Sequence, residues 1–175
     1  MGYIHDKAMS QFVPPEDIGV SAGTWTFVRN SNVWTNLRTA ADASFTIYIP
    51  VPIPSSSEAL KGGYLKSIEF MYEVATVQAD DFPTVSLCKD TFAASAASGA
   101  GTINTAAVDA AKTIDAGHNS PDERRAIDEH RMMVTLDTPA WIDTNESWHL
   151  ELTVDAHAGT NFYIFGAIIN YTLRT

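Results

Sequence analysis

Asn161–Leu173 reads NFYIFGAIINYTL. At period two its odd positions, Tyr163, Phe165, Ala167, Ile169, Tyr171 and Leu173, are all apolar. The even positions begin apolar at Phe162 and Ile164 and turn polar only at Asn170 and Thr172. Successive side chains of a pleated strand point to opposite faces, so the pattern predicts a strand covered on both faces over its first half. A buried helix is also apolar all round, but the aromatic and β-branched content favours the strand. Gly166 marks a place for a bulge or for close approach of another backbone.

Working outward, Ser147–Ala156 alternates more cleanly, with Trp148, Leu150, Leu152, Val154 and Ala156 against Ser147, His149, Glu151, Thr153 and Asp155. That is the mark of a half-buried antiparallel strand. His130–Asp137 sets Met132, Val134 and Leu136 on one face. Tyr64–Val77 sets Ile68, Phe70, Tyr72 and Val74 on one face, and Ser67, Glu69 and Glu73 toward water, with Met71 interrupting the polar side. Asp80-Asp81-Phe82-Pro83 turns the chain into Thr84–Lys89. Thr24–Arg29 and Val33–Arg38 flank the turn residues Asn30-Ser31-Asn32. Ser44–Val51 follows, and Pro50, Pro52 and Pro54, which cannot donate to a ladder, predict an edge or an exposed extended segment.

Residues 90–129 are less regular. TFAASAASGAGT is flexible by composition. Thr102–Val108 and Ala111–Ile114 read as short strands, and Ser120-Pro121-Asp122-Glu123 opens a short helix near Pro121–Glu129. Eight or nine strands with at most one short helix predict an all-β, two-sheet antiparallel sandwich with jelly-roll-like topology. It occupies residues 23–175 as a single domain, preceded by an extended N-terminal arm over residues 1–22. That arm shows no strand or helix period, yet Tyr3, Ile4, Met9, Phe12 and Val13 are unusually apolar for a free tail. With Met71 they form the candidate interface to a neighbouring subunit.

At 175 residues, 45% hydrophobic and 18% charged, the chain folds rather than staying disordered. A formal charge of −10 argues against nucleic acid as a partner, because phosphate binding needs clustered Lys and Arg. The single cysteine, Cys88, excludes an intramolecular disulfide and is expected as a buried thiol. Neither a signal-peptide pattern nor an apolar run near the ~20 residues of a membrane helix is present, so a soluble protein made inside a cell is expected.

Chemistry is sparse. Glu69 and Glu73 share one strand face about 13 Å apart, beyond the ~5–9.5 Å between the paired carboxyls of glycoside hydrolysis. Asp80-Asp81 lacks the acidic ladder of a calcium loop and reads as a turn. The five histidines make no HxxxH, HxH or Cys/His set, so no metal is expected. His118, Asp128 and His130 are the one trio that convergence in space would bring together. Nucleophile elbows, Walker loops and dinucleotide fingerprints are absent, so neither a cofactor nor enzymatic activity is expected. Of the four tryptophans, Trp25 and Trp148 alternate with core positions. Trp34 and Trp141 lie near turns and are the candidates for stacking on a sugar ring.

The run GGYLKSIEFMYEVATVQADDFPTVSL, then HRMMVTLDTPAWIDTNESWHLELTVDA, then the final GAIINYTL, resembles a small β-sandwich of tailed-phage and prophage virion accessory proteins. The resemblance spans roughly residues 40–175, is one of strand and turn pattern, and carries no functional residue over. It implies a virion structural protein, a capsid decoration (cement) protein or head-fibre component, acting by adhesion between subunits. Its expected partners are copies of itself, as a homotrimer, and capsid or other virion proteins. The alternative is a carbohydrate-binding receptor module of a phage tail or fibre, with a surface glycan as ligand. A single-jelly-roll capsid subunit ranks third, because the basic interior arm that would contact a packaged genome is missing.

Overall fold

The computed structural model describes residues 5–30, 32–56, 61–94, 101–107 and 112–174. Among them twelve strands and one short helix form two antiparallel sheets. In chain order the strands are β1 (Asp6–Val13), β2 (Gly19–Val20), β3 (Trp25–Asn30), β4 (Val33–Arg38), β5 (Ala43–Pro50) and β6 (Gly62–Ala75). Then come β7 (Asp81–Ala94), β8 (Gly101–Ala107), β9 (Lys112–Ile114), helix α1 (Pro121–Arg124), β10 (Asp128–Trp141), β11 (Glu146–Ala156) and β12 (Asn161–Arg174). One sheet runs β3-β4-β12-β6-β10-β9, with β1 also on β12, and the other runs β2-β5-β11-β7-β8. The chain changes sheet between β4, β5, β6 and β7, and again after β8, β10 and β11. The orders β4-β12-β6-β10 and β5-β11-β7-β8 therefore interleave as a jelly roll.

Alternation fills the space between the sheets. Phe45, Ile47 and Ile49 of β5, and Leu150, Leu152 and Val154 of β11, are at most 1% exposed. They meet Ile68, Phe70, Tyr72 and Val74 of β6 and Met132 and Val134 of β10 in one buried cluster. Burial of this apolar surface, at about 25 cal/mol per Å², is the main force holding the sheets together.

β12 is central, but its core-facing residues do not keep one parity throughout. Phe162 and Ile164 are buried; the register then slips between Ile164 and Gly166, after which Ala167, Ile169 and Tyr171 are the buried set. Gly166, at φ +132°, is the bulge, and a Cβ there would sit 2.7 Å from Phe12 Cζ and 2.8 Å from the Val13 carbonyl oxygen. Both expectations for this glycine hold together: a bulge and a close backbone approach. The apolar residues at both parities reflect a bulge that shifts which of them face the core, even positions before it and odd positions after it, and not a strand sandwiched along its first half.

The segment set apart as an arm belongs to the sandwich. β1 pairs antiparallel with β12 from Asp6↔Arg174 to Val13↔Ala167, and β2 joins the other sheet through Gly19↔Tyr48 and Val20↔Ile47. A 3-10 turn, Pro15–Asp17, connects them, and Ile18 enters the core at 3% exposure. Two further boundaries differ from the sequence reading. β7 continues to Ala94, into the small-residue tract, and α1 ends at Arg124 because β10 begins at Asp128. The helix start is as expected: Ser120 Oγ accepts from Glu123 N and the Glu123 carboxylate accepts from Ser120 N, a capping box with Pro121 in the first turn. The proline run is only half exposed, since Val51 and Ile53 are buried and Val51 N donates to the Trp148 carbonyl.

Candidate functional site

Two strands lie end to end along one edge of β12. β4 pairs with Phe162–Ile164, and β1 pairs with Ala167–Arg174 beyond the Gly166 bulge. Exposed apolar surface collects at this seam. Phe12, Phe27, Val33 and Trp34 are 54, 45, 50 and 54% exposed. With Pro14, Pro15 and Phe165 they line a cleft of about 400 Å³.

The β3–β4 hairpin builds the most ordered part of this surface. Its register sets Phe27 opposite Asn36 and Arg29 opposite Trp34, so Phe27 and Trp34 are diagonal neighbours on one face. Their rings lie parallel, 6° apart in plane with centroids 5.1 Å apart. Nearer the core, on the same face, Trp25 packs edge-on against Phe45 at 5.4 Å and Arg38 lies over the same ring at 4.6 Å. Buried Arg38 donates to the carbonyls of Ala41 and Ala43 at 3.2 and 3.1 Å. The hairpin is thus pinned at its root and bare at its tip.

A second depression, of about 370 Å³, adjoins the first through the shared residues Val33 and Phe165, and Met71, Glu129 and Arg131 line its other side. Here the sheet's outer face carries a polar chain. Ser10 Oγ donates to Asn170 Oδ1 at 2.7 Å; Asn170 Nδ2 donates to Glu69 Oε1 at 2.9 Å and to Ser67 Oγ at 3.2 Å; Arg131 Nε donates to Glu69 Oε2 at 2.8 Å. Burial pushes the Glu69 carboxyl up, but bonds from Asn170 and Arg131 and the charge of Arg131 outweigh it and hold it below the usual range. Glu69 is therefore buried, at 7% exposure, and not part of a solvated face as expected, while the Arg131 side chain stays 66% exposed. Glu73 is half-buried, and burial together with Glu129 pushes its carboxyl up.

The sequence candidates separate in space. Trp34 sits in the cleft, whereas half-buried Trp141 is not part of that lining and packs on Tyr64 with centroids 5.0 Å apart. Met71 lines the second depression. Met9 and Phe12 are exposed on β1, whereas Val13, at 2% exposure, faces the core and cannot serve as an interface residue. Tyr3 and Ile4 lie outside the described residues. Phe12, expected as an interface residue, lines the cleft instead, and Phe27 and Phe165 carry no sequence signal for it, because four separate elements supply the lining.

Among the histidines, His118 and His130 do meet, Nε2 to Nδ1 at 3.1 Å, but the carboxylate on His118 is Asp115 at 2.8 Å and not Asp128. His130 stacks on Tyr72, whose hydroxyl donates to the Arg124 carbonyl. Asp115 also accepts from the backbone N–H groups of Gly117 and Met133. Every group in this cluster is spent on neighbouring structure. The turn expected over Asp80-Asp81-Phe82-Pro83 ends by Asp80, because β7 already begins at Asp81; Asp81 Oδ1 accepts from Phe82 N, and Arg124 and Arg125 donate to the carbonyls of Phe82 and Asp80.

No family model matches this chain, and no curated protein matches it. Solved structures similar to it include TmCBM61 in complex with β-1,4-galactotriose, 10% identical over 97% of this chain and 88% of that one, with TM-score 0.37. A family 11 carbohydrate-binding module from Clostridium thermocellum, in complex with a β-1,3-1,4-mixed-linked tetrasaccharide, is 10% identical over 96% and 89%, with TM-score 0.28. The arabinose-bound α-L-arabinofuranosidase MgGH51 is 7% identical over 91% of this chain but 24% of that one, with TM-score 0.36. Likeness at this level carries no argument about role, so any function has to be argued from the site itself.

Proposed function

We propose that this protein is a non-catalytic glycan-binding module that holds a neutral sugar chain at the seam between β1 and β4. The carrying observation is the parallel, exposed Phe27–Trp34 pair at the rim of a cleft. Flat rings present an apolar face on which the C–H side of a sugar packs, and fixing two rings in advance lowers the ordering cost of binding. Polar anchoring comes from the adjoining depression: the Arg131 guanidinium, held by Glu69, keeps donors facing solvent for sugar hydroxyls. The net charge of −10 disfavours sulfated and uronic glycans.

The test is a glycan array followed by calorimetric titration with the best neutral oligosaccharide. Trp34→Ala is expected to weaken binding at least about tenfold, since 1.4 kcal/mol is a factor of ten. Trp141→Ala is expected to leave it unchanged. An array without signal, or equal affinity in Trp34→Ala and the parent, would sink the reading.

A second reading, a self-associating virion component, is favoured by β1. Among the described residues it pairs only with β12, leaving an edge on which Met9 is 40% and Phe12 54% exposed. Exposed apolar edge strands are templates for pairing with another chain.

A further inference from the structure

The outer face of the five-stranded sheet holds a group of side chains that neither reading uses. β11 runs between β5 and β7, and in its register His149 lies directly opposite Cys88 of β7. Glu151, two residues further along β11, points to the same side as His149. The thiol, imidazole and carboxylate bring one ligating atom each to within 4.8 Å of one another, with Cys88 Sγ 4.0 Å from Glu151 Oε2. We propose that Cys88, His149 and Glu151 form a binding site for a thiophilic divalent cation, zinc being the best fit.

Ligand chemistry selects the ion. Sulfur, imidazole nitrogen and carboxylate oxygen are the three donor types zinc takes, whereas calcium and magnesium demand oxygen alone. Two ligands tetrahedrally placed on zinc lie about 3.6 Å apart. The 4.0 Å between Sγ and Oε2 is close to that spacing, and all three ligating atoms lie within 4.8 Å of one another. Both strands are paired on either side, so their backbone is fixed before the ion arrives. Asp90 Oδ2 lies 3.6 Å from His149 Nδ1, the place of a carboxylate that orients a ligating imidazole. Tyr48, across β5, packs its ring edge-on at 5.9 Å from that of His149 and walls the site on one side.

Cys88 is buried while His149 and Glu151 are only partly covered, so a solvent ligand can reach the ion. No ion pair engages Glu151 among the described residues. Sequence reading found no metal set, because the ligands come from two strands far apart in the chain and meet only through their register.

The experiment titrates the reduced, chelator-treated full chain with zinc alone, and separately with cobalt as a spectroscopic probe. One equivalent is expected to bind, with a thiolate-to-cobalt charge-transfer band that vanishes in Cys88→Ser. His149→Gln and Glu151→Gln should bind more weakly than the parent, Asp90→Asn about tenfold more weakly, and His118→Gln with unchanged affinity. Should a variant fail to fold, zinc protection of Cys88 against a thiol reagent in the parent chain answers the same question. The proposal is overturned by absence of stoichiometric binding, by a cobalt spectrum without the thiolate band, or by zinc that leaves thiol reactivity unchanged.

Discussion

His130 sits where three kinds of interaction compete. Burial lowers its proton affinity most; the Ala126 carbonyl, which bonds to Nε2 at 2.9 Å, raises it, the nearby His118 lowers it again and Asp128 raises it. The net direction is down from the ordinary 6.5. The unfolded chain thus takes up the proton first as pH falls, and stability is lost from about pH 6.5 downward until the folded imidazole also protonates. Thermal melts between pH 7.5 and 5 should show a decline in stability from this group. In His130→Gln the decline should shrink; an unchanged slope would remove His130 as its cause. Tyr72, stacked on His130, does not join the titration, because burial holds its hydroxyl far above the working range. Glu69 teaches a related lesson. Alternation correctly aimed it away from the core, yet outward does not mean solvated when Asn170 and Arg131 close over the carboxylate.

At the scale of the element, β12 shows what period-two reading delivers and what it omits. The strand and its glycine were legible in the sequence, and so were β11 and the capped start of α1, because each is written in local chemistry. The shift in which positions face inward was not, since one inserted residue looks like noise in an alternation. β1 was invisible because DKAMSQFV is exposed over most of its length and its pairing is decided by β12 rather than by its own pattern. The bulge yields a sharp expectation. Gly166→Ala places a Cβ against both the Phe12 ring and the Val13 carbonyl at a backbone angle that side chains avoid, and should cost about 1–3 kcal/mol in denaturant unfolding. In a Phe12→Ala background the ring is gone but most of the cost should persist. Full rescue there would mean that backbone strain contributes nothing.

For the whole molecule, the jelly roll followed from counting strands and turns, while the candidate site did not, because its lining is assembled from β1, the following turn, the β3–β4 hairpin and β12. Composition alone left binding module and virion subunit both open. Light scattering separates them. A monomer whose state is unaffected by Phe12→Lys fits the glycan-binding reading, whereas a trimer that Phe12→Lys dissociates fits pairing along the β1 edge.

The place of β12 in its sheet has a consequence for how the protein is made. It lies between β6 on one side and β1 and β4 on the other, yet it is the last of the described strands in the chain. A ribosome-bound nascent chain therefore carries β1, β4 and β6 as orphaned edges until the final stretch emerges, and closure has to wait for the most distant pairings in the sequence. The order of the strands thus leaves the central pairings of this sheet until last.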